Sequence, residues 1–144
     1  MNAAEPKGLS SAEWKVMKIV WGEGKAMARE VYSIAGRQYA WTPATVKTLL
    51  KRLVDKGYLS TTPVGNGFVY RPVSTAITAL RSAADTLLAN AIDGTTGPLL
   101  AHMVERTSLS EDDLDALQQL IAAKKQSLQP QRKKLDRGRS RRTR

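Results

Sequence analysis

The stretch WTPATVKTLLKRLVDKGYLS, residues 41–60, marks out a helix at both ends and sorts its residues by face. Thr42 can cap the helix start by accepting from a free backbone N–H, and Pro43 suits a first turn whose N–H has no intrahelical partner. Gly57 favours the left-handed conformation that ends helices. At about 100° per residue, Val46, Leu49, Leu50, Leu53 and Val54 fall on one side. Ala44, Thr48, Lys51 and Asp55 centre the other, flanked by Thr45, Lys47 and Arg52. The first three turns of that outer face carry no acid. A helix entering the major groove of DNA must present short polar groups and cations to base edges and phosphates, because a bulky or acidic face is excluded or repelled. Lys47, Lys51 and Arg52 suit phosphates or guanine edges, and Thr45 and Thr48 suit phosphates, bases or the thymine methyl. Taken alone, the same face also reads as a solvated basic surface.

The flanking segments favour the first reading. Ser10-Ser11-Ala12-Glu13 fits a capping box, and Trp14, Met17, Val20 and Trp21 form an apolar stripe that ends at Gly22 to Gly24. The two tryptophans are expected as core anchors. MAREVYSIAG, residues 27–36, predicts a second helix with Val31, Ile34 and Ala35 inward, Gly36 near its end, and Arg29, Glu30 and Ser33 outward. After the quoted helix, YLSTT and FVYRPV flank the turn PVGNG and predict a hairpin over about residues 58–73. Pro63 and Pro72 imply short or edge pairing. Three helices and a hairpin in this order make a winged helix-turn-helix. Gly65, Asn66 and Gly67 would let the wing tip approach a phosphate backbone with Arg71 nearby, although a plain turn explains the glycines equally well. The candidate DNA-contacting residues are therefore Arg29, Ala44, Thr45, Lys47, Thr48, Lys51, Arg52, Asn66 and Arg71.

Beyond Ser74 the pattern becomes long and helical. Ile77, Leu80, Ala84, Leu87 or Leu88, and Ala91 alternate steps of three and four, ending at Gly94. A shorter helix over about 97–106 carries Leu99, Leu100, Met103 and Val104. Ser110 caps a last one, with Glu111, Asp112 and Asp113 in its first turn, Lys124 and Lys125 in its last, and Leu114, Leu117, Leu120, Ile121 and Leu128 along one face. Three helices over some 55 residues bury such stripes poorly by themselves. A symmetric dimer is the economical solution, with Leu80, Leu87, Leu88, Leu100, Met103, Leu117, Leu120 and Ile121 at its seam, and folding back onto the same chain's head is the alternative. From Pro130, PQRKKLDRGRSRRTR has almost no apolar content and is expected to be disordered, as a DNA-grasping tail, an RNA-binding arm or a solubilising end. The chain is thus read as mainly α: a winged helix-turn-helix over residues 8–73, a three-helix domain over 74–129 and a basic tail over 130–144.

Composition narrows the chemistry. The 144 residues carry a formal net charge of +10 and a pI near 10.2, which points to an anionic partner such as nucleic acid or an acidic membrane surface. The charge is uneven: net +6 over residues 1–79, −3 over 80–129 and +7 over 130–144. There is no cysteine, so disulfides, thiolate metal sites and cysteine nucleophiles are excluded. With one histidine, His102, no multi-histidine metal site is available, and neither a phosphate-binding glycine loop nor G-x-S-x-G occurs. Neither an enzyme nor a bound cofactor or metal is expected. MNAAEPKGLSS lacks the apolar core of a signal peptide, and no apolar run approaches the roughly 20 residues that span a bilayer. The expectation is a soluble cytoplasmic protein without membrane insertion.

LSSAEWKVMKIVW at 9–21, WTPATVKTLLKRLVDKGYL at 41–59, YRPV at 70–73 and LSEDDLDALQQLI at 109–121 together resemble the BlaI/MecI (penicillinase repressor) family of bacterial transcriptional regulators. The resemblance covers roughly residues 9–128 in register. It implies an N-terminal winged helix-turn-helix, a C-terminal three-helix dimerisation domain and a homodimer that represses transcription from a palindromic operator on double-stranded DNA. In the family's characterised systems a membrane-bound sensor detects β-lactam, and the repressor is then cleaved in its dimerisation domain. The resemblance therefore implies a sensor protease, or a protease downstream of it, as a partner. By register with LLAHMVE at 99–105, the cleaved bond would lie between His102 and Met103, where well-known members have Asn-Phe. Copper-responsive relatives carry a cysteine-rich metal site, which this cysteine-free chain cannot form. Two rivals stand beside this reading: a sequence-independent nucleic-acid-binding protein using its basic head and tail, and a winged helix that serves only in protein interaction.

Overall fold

The computed structural model describes residues 8–140, with side chains over 8–129. Its elements are α1 (Ser11–Glu23), β1 (Ala26–Met27), α2 (Ala28–Tyr39), α3 (Pro43–Asp55), β2 (Leu59–Val64), β3 (Gly67–Pro72), α4 (Ala76–Ala89), α5 (Thr96–Arg106) and α6 (Glu111–Ser140). The chain is mainly helical, with one three-stranded sheet of order β1-β3-β2. It divides into two compact units, residues 1–90 and 91–144.

In the first unit, the capping box forms at the start of α1. The Ser10 hydroxyl accepts from Glu13 N at 3.2 Å and Glu13 Oε1 accepts from Ser10 N at 3.1 Å. The core is built from Val16, Met17 and Val20 of α1, Val31 of α2, and Val46, Leu50 and Leu53 of α3, all essentially inaccessible. The expected stripe on α1 is displaced. Val16 and Ile19 are buried, whereas Trp14 and Trp21 are half-buried on one flank, their rings 6.0 Å apart. The tryptophans border the core rather than anchor its centre, because on a helical wheel residues 14 and 21 lie more than 90° from residue 16.

The second helix also differs from expectation. It begins at Ala28, after the strand β1 that hydropathy did not reveal, and runs through Gly36 to Tyr39. Ala40 ends it in the left-handed region (φ 55°, ψ 32°), with its N–H donating to the Gly36 carbonyl. The hairpin forms as expected, with Thr61 opposite Tyr70 and Val64 opposite Gly67. Gly65 alone of the two central turn residues has positive φ, the pattern of a type II′ turn whose twist suits a hairpin. Pro63 sits on β2, the sheet edge, where a missing N–H breaks no ladder.

The division between units falls after Asn90 rather than at Ser74. Two contacts bring the start of α4 to the head: Ala79 is buried, and the Trp21 indole Nε1 donates to the Ser74 carbonyl at 3.0 Å. The rest of α4 presents Ile77, Leu80, Leu87 and Leu88 to solvent.

In the second unit, Ser110 and Asp113 exchange the two bonds of a capping box at the start of α6. Leu117 is half-buried, while Leu100, Met103, Leu120 and Ile121 are exposed. The backbone remains helical through Pro130 to Ser140, so the tail expected to be disordered is helical over residues 130–140, and Lys124 and Lys125 lie mid-helix. The Gln, Arg, Lys and Leu residues after Pro130 are good helix formers, which local charge content did not reveal. Residues 141–144 of that tail lie outside the described residues. Among the described residues no helix is long and apolar enough to cross a membrane, and no cluster of His, Asp and Glu could hold a metal ion.

Candidate nucleic-acid interface

Helix α3 is held at both ends by its own side chains and by α1. Thr42 caps it, accepting from Thr45 N at 3.3 Å, and the two threonine hydroxyls meet at 3.0 Å. Pro43 occupies the first turn, and Gly57 follows the helix with φ 87°. Lys56, at the C-cap, reaches the buried Glu13 of α1 with Nζ 2.8 Å from Oε1, and also donates to the Gly8 carbonyl at 3.1 Å. Burial pushes the Glu13 carboxyl upward. The hydrogen bond from Lys56, those from the Ser10 side chain and backbone, and the Lys56 charge outweigh it, so its pKa lies below the usual carboxylate value. This ion pair ties the end of α3 to the beginning of α1.

With Val46, Leu49, Leu50 and Leu53 buried, the outer face stands free: Ala44, Thr45, Lys47, Thr48, Lys51 and Arg52 are all exposed. No acid lies in the first turn, so the positive end of the helix dipole is not neutralised there. Among the described residues, neither Lys47 nor Lys51 has a carboxylate within ion-pair distance. The Thr48 hydroxyl donates to the Ala44 carbonyl at 3.0 Å, so it offers outward only a lone pair and a methyl group. That suits an amino group on a base edge, or the thymine methyl.

The hairpin completes the face on one side. Lys47, Thr48, Lys51 and Val54 of α3, with Thr61, Phe68 and Tyr70 of the hairpin, line an open cleft of about 560 Å³. Arg52 and Thr45 lie on the other flank of α3. A second cleft of about 580 Å³ brings Arg29 and Tyr32 of α2 to Gly65, Asn66 and Phe68 at the wing tip. Strand alternation puts Phe68 and Tyr70 on one hairpin face and Arg71 on the other. Arg71 donates to Thr62 Oγ1 at 3.2 Å, on the face away from α3. Of the expected residues, the structure therefore groups Lys47, Thr48 and Lys51 in one cleft and Arg29 and Asn66 in the other, and leaves Arg71 apart from both. Thr61, Phe68 and Tyr70 were not singled out from the sequence, although counting alternate residues from the turn would have found them. Burial, and secondarily Tyr32 nearby, raises the pKa of the Tyr70 hydroxyl, which keeps it neutral beside the lysines.

The outer face of α3, cationic and free of acid until Asp55, is set against the hairpin, and the chain has relatives among known proteins. Residues 9–123 match the family model described as penicillinase repressor. The chain belongs to the penicillinase repressor family. An uncharacterised 16.5 kDa protein of Latilactobacillus sakei is 35% identical over 116 residues, which span 81% of this chain and 80% of the relative. The penicillinase repressor of Bacillus licheniformis is 28% identical over 78% of this chain and 88% of its own length. The solution structure of the DNA-binding domain of the repressor BlaI is similar at 35% identity, with a TM-score of 0.47, over 50% of this chain and 87% of that domain. As a family member, this chain is a DNA-binding transcriptional repressor and not an enzyme.

Proposed function

We propose that this penicillinase-repressor-family chain binds a palindromic operator on duplex DNA as a homodimer, laying α3 in the major groove of each half-site. The observation that carries this reading is the outer face of α3, where exposed Lys47, Thr48 and Lys51 stand free of acidic partners beside the hairpin. Lysines there neutralise phosphates, while Thr48 and Ala44 are short enough to let the backbone approach base edges. Arg29 and Asn66 in the second cleft are suited to a phosphate of the same duplex.

The dimer is supported by apolar surface that a lone chain leaves wet. Leu80 (51% exposed) and Leu87 (52%) in the first unit, and Leu100 (53%), Met103 (48%) and Leu120 (67%) in the second, are large apolar side chains of the kind that interaction surfaces gather. Covering that surface with a second copy would hold two heads together, so that engagement of one half-site raises the effective concentration at the other. Cleavage between His102 and Met103, in the middle of α5, would cut the helix that carries Leu100 and Met103 and release heads that hold only single half-sites. The bond lies in regular helix, so α5 must open locally before a protease can take it in extended form.

The test is fluorescence anisotropy of the full chain on the duplex upstream of its own gene and on a scrambled duplex of equal length. The proposal expects a large preference that saturates at two chains per site. Equal affinity for both, also across genomic fragments, would favour sequence-independent binding instead. For the dimer, Met103→Asp should give a monomer in sedimentation and weaken operator binding, and a variant that stays dimeric and bound would remove Met103 from the seam.

A further inference from the structure

We infer that Phe68, the only phenylalanine of the chain, is a DNA-contacting residue of the wing, pressing its ring against the sugar and base edges of the duplex between two cationic clefts. The inference rests on the DNA-binding reading of α3 and adds to it a nonionic contact.

Three observations meet at this residue. The ring is 52% exposed on a hairpin strand, and Val64 near the turn is 48% exposed, so the wing tip carries an apolar patch where a purely ionic clamp would have none. Phe68 lines both clefts: Lys47 and Lys51 stand across it on α3, and Arg29 stands across it on α2. Finally, the register sets Phe68 opposite Pro63 and on the same hairpin face as Thr61 and Tyr70, the face that borders α3.

The charge around the ring selects the occupant. Neither cleft is lined by an acidic side chain. An apolar peptide covering Phe68 would strip water from three cations and return nothing to them. A duplex satisfies both demands, with phosphates for Lys47, Lys51 and Arg29 and a deoxyribose or thymine methyl for the ring. Apolar side chains do engage DNA without adding charge in minor-groove proteins, where Phe, Leu, Ile, Met or Pro enters between base steps.

A contact without charge leaves a distinctive trace. Each phosphate neutralised by a lysine contributes about 0.9 to the slope of log affinity against log salt, whereas a buried ring contributes nothing. Phe68→Ala in the full chain should therefore weaken binding to the duplex upstream of its gene by about tenfold, with the salt slope unchanged. Lys47→Ala, run beside it, should lower the slope by about one. Phe68→Leu, which keeps part of the apolar area, should lose about two- to fourfold at the wild-type melting temperature, and it decides the question if Phe68→Ala fails to fold. Wild-type affinity in both variants overturns the inference, as does a slope change like that of Lys47→Ala. A changed oligomeric state for Phe68→Ala assigns the ring to a second copy and overturns it too. Equal binding of the wild-type chain to intergenic and scrambled duplexes defeats the operator reading instead. The same Phe68 comparison on the scrambled duplex then still decides the ring's role.

Discussion

Replacing Lys56 by methionine removes the cation that holds Glu13 while keeping an apolar stem of similar length. Glu13 is 2% exposed, its Oε1 lies 2.8 Å from Lys56 Nζ, and its Oε2 is buried without a hydrogen-bond partner. The lost bond is charge-assisted and short, a class that contributes about 1.5–3 kcal/mol. The Lys56 side chain is 23% exposed, so solvent screens part of that, and about 2 kcal/mol is expected at neutral pH. For a domain of this size the loss corresponds to a drop of roughly 8–16 °C in melting temperature. The pH dependence has a definite sign. In the wild type the folded Glu13 pKa is lowered, so its stabilisation is fully present above the unfolded carboxylate value near 4.3 and is lost as pH falls through the folded pKa. In the variant, burial acts without the opposing lysine, the Glu13 pKa rises, and the ionised carboxylate is what destabilises. The gap between the two proteins should be largest near pH 7, narrow as pH falls toward the unfolded carboxylate value, and close only below the folded Glu13 pKa of the wild type. Thermal melts by circular dichroism from pH 7 downward measure it. A gap below about 2 °C at pH 7, or one that widens on acidification, would refute this account of how α1 and α3 are joined.

Other consequences can be measured with the same preparations. Leu50→Ala, at a fully buried site of α3, should destabilise by about 2–5 kcal/mol in urea unfolding, with smaller losses only if the core collapses around the cavity. Ala40→Gly should raise stability by about 0.5 kcal/mol, because φ 55° costs alanine more than the extra freedom glycine brings to the unfolded chain, and a loss of stability would contradict that balance. Lys47→Ala and Thr48→Ala should each weaken operator binding, with about 1–3 kcal/mol for a base-contacting position, and unchanged affinity and base preference in both would remove α3 from the groove. Arg71→Ala should change affinity less than Lys47→Ala in the same titration, since Arg71 is bound to Thr62 on the hairpin face away from α3.

Local signals in this chain lie where a residue's neighbours in sequence are also its neighbours in space. The Ser10–Glu13 box, the Thr42 cap, Pro43 and the Gly65-Asn66 turn all act within four residues, and each was legible before any coordinates. So was the two-faced character of α3, because helical periodicity alone separates Leu50 from Thr48. The two-residue strand β1 was not legible: it exists only because β3, more than 40 residues later, pairs with Ala26 and Met27. The displaced core stripe of α1 has the same origin, since what packs against α1 decides whether Val16 or Trp14 turns inward.

What the sequence by itself determined is the order of helices and hairpin, the cationic face of α3 and the absence of cysteine chemistry, all properties of local pattern and composition. What only the tertiary structure decided is which residues share a cleft. Lys47, Lys51 and Phe68 come together, as do Arg29 and Asn66, while Arg71 points elsewhere, and Lys56 crosses 43 residues to reach Glu13. The physical reason is that pairing register and packing direction are set by long-range contacts, which no window of adjacent residues contains.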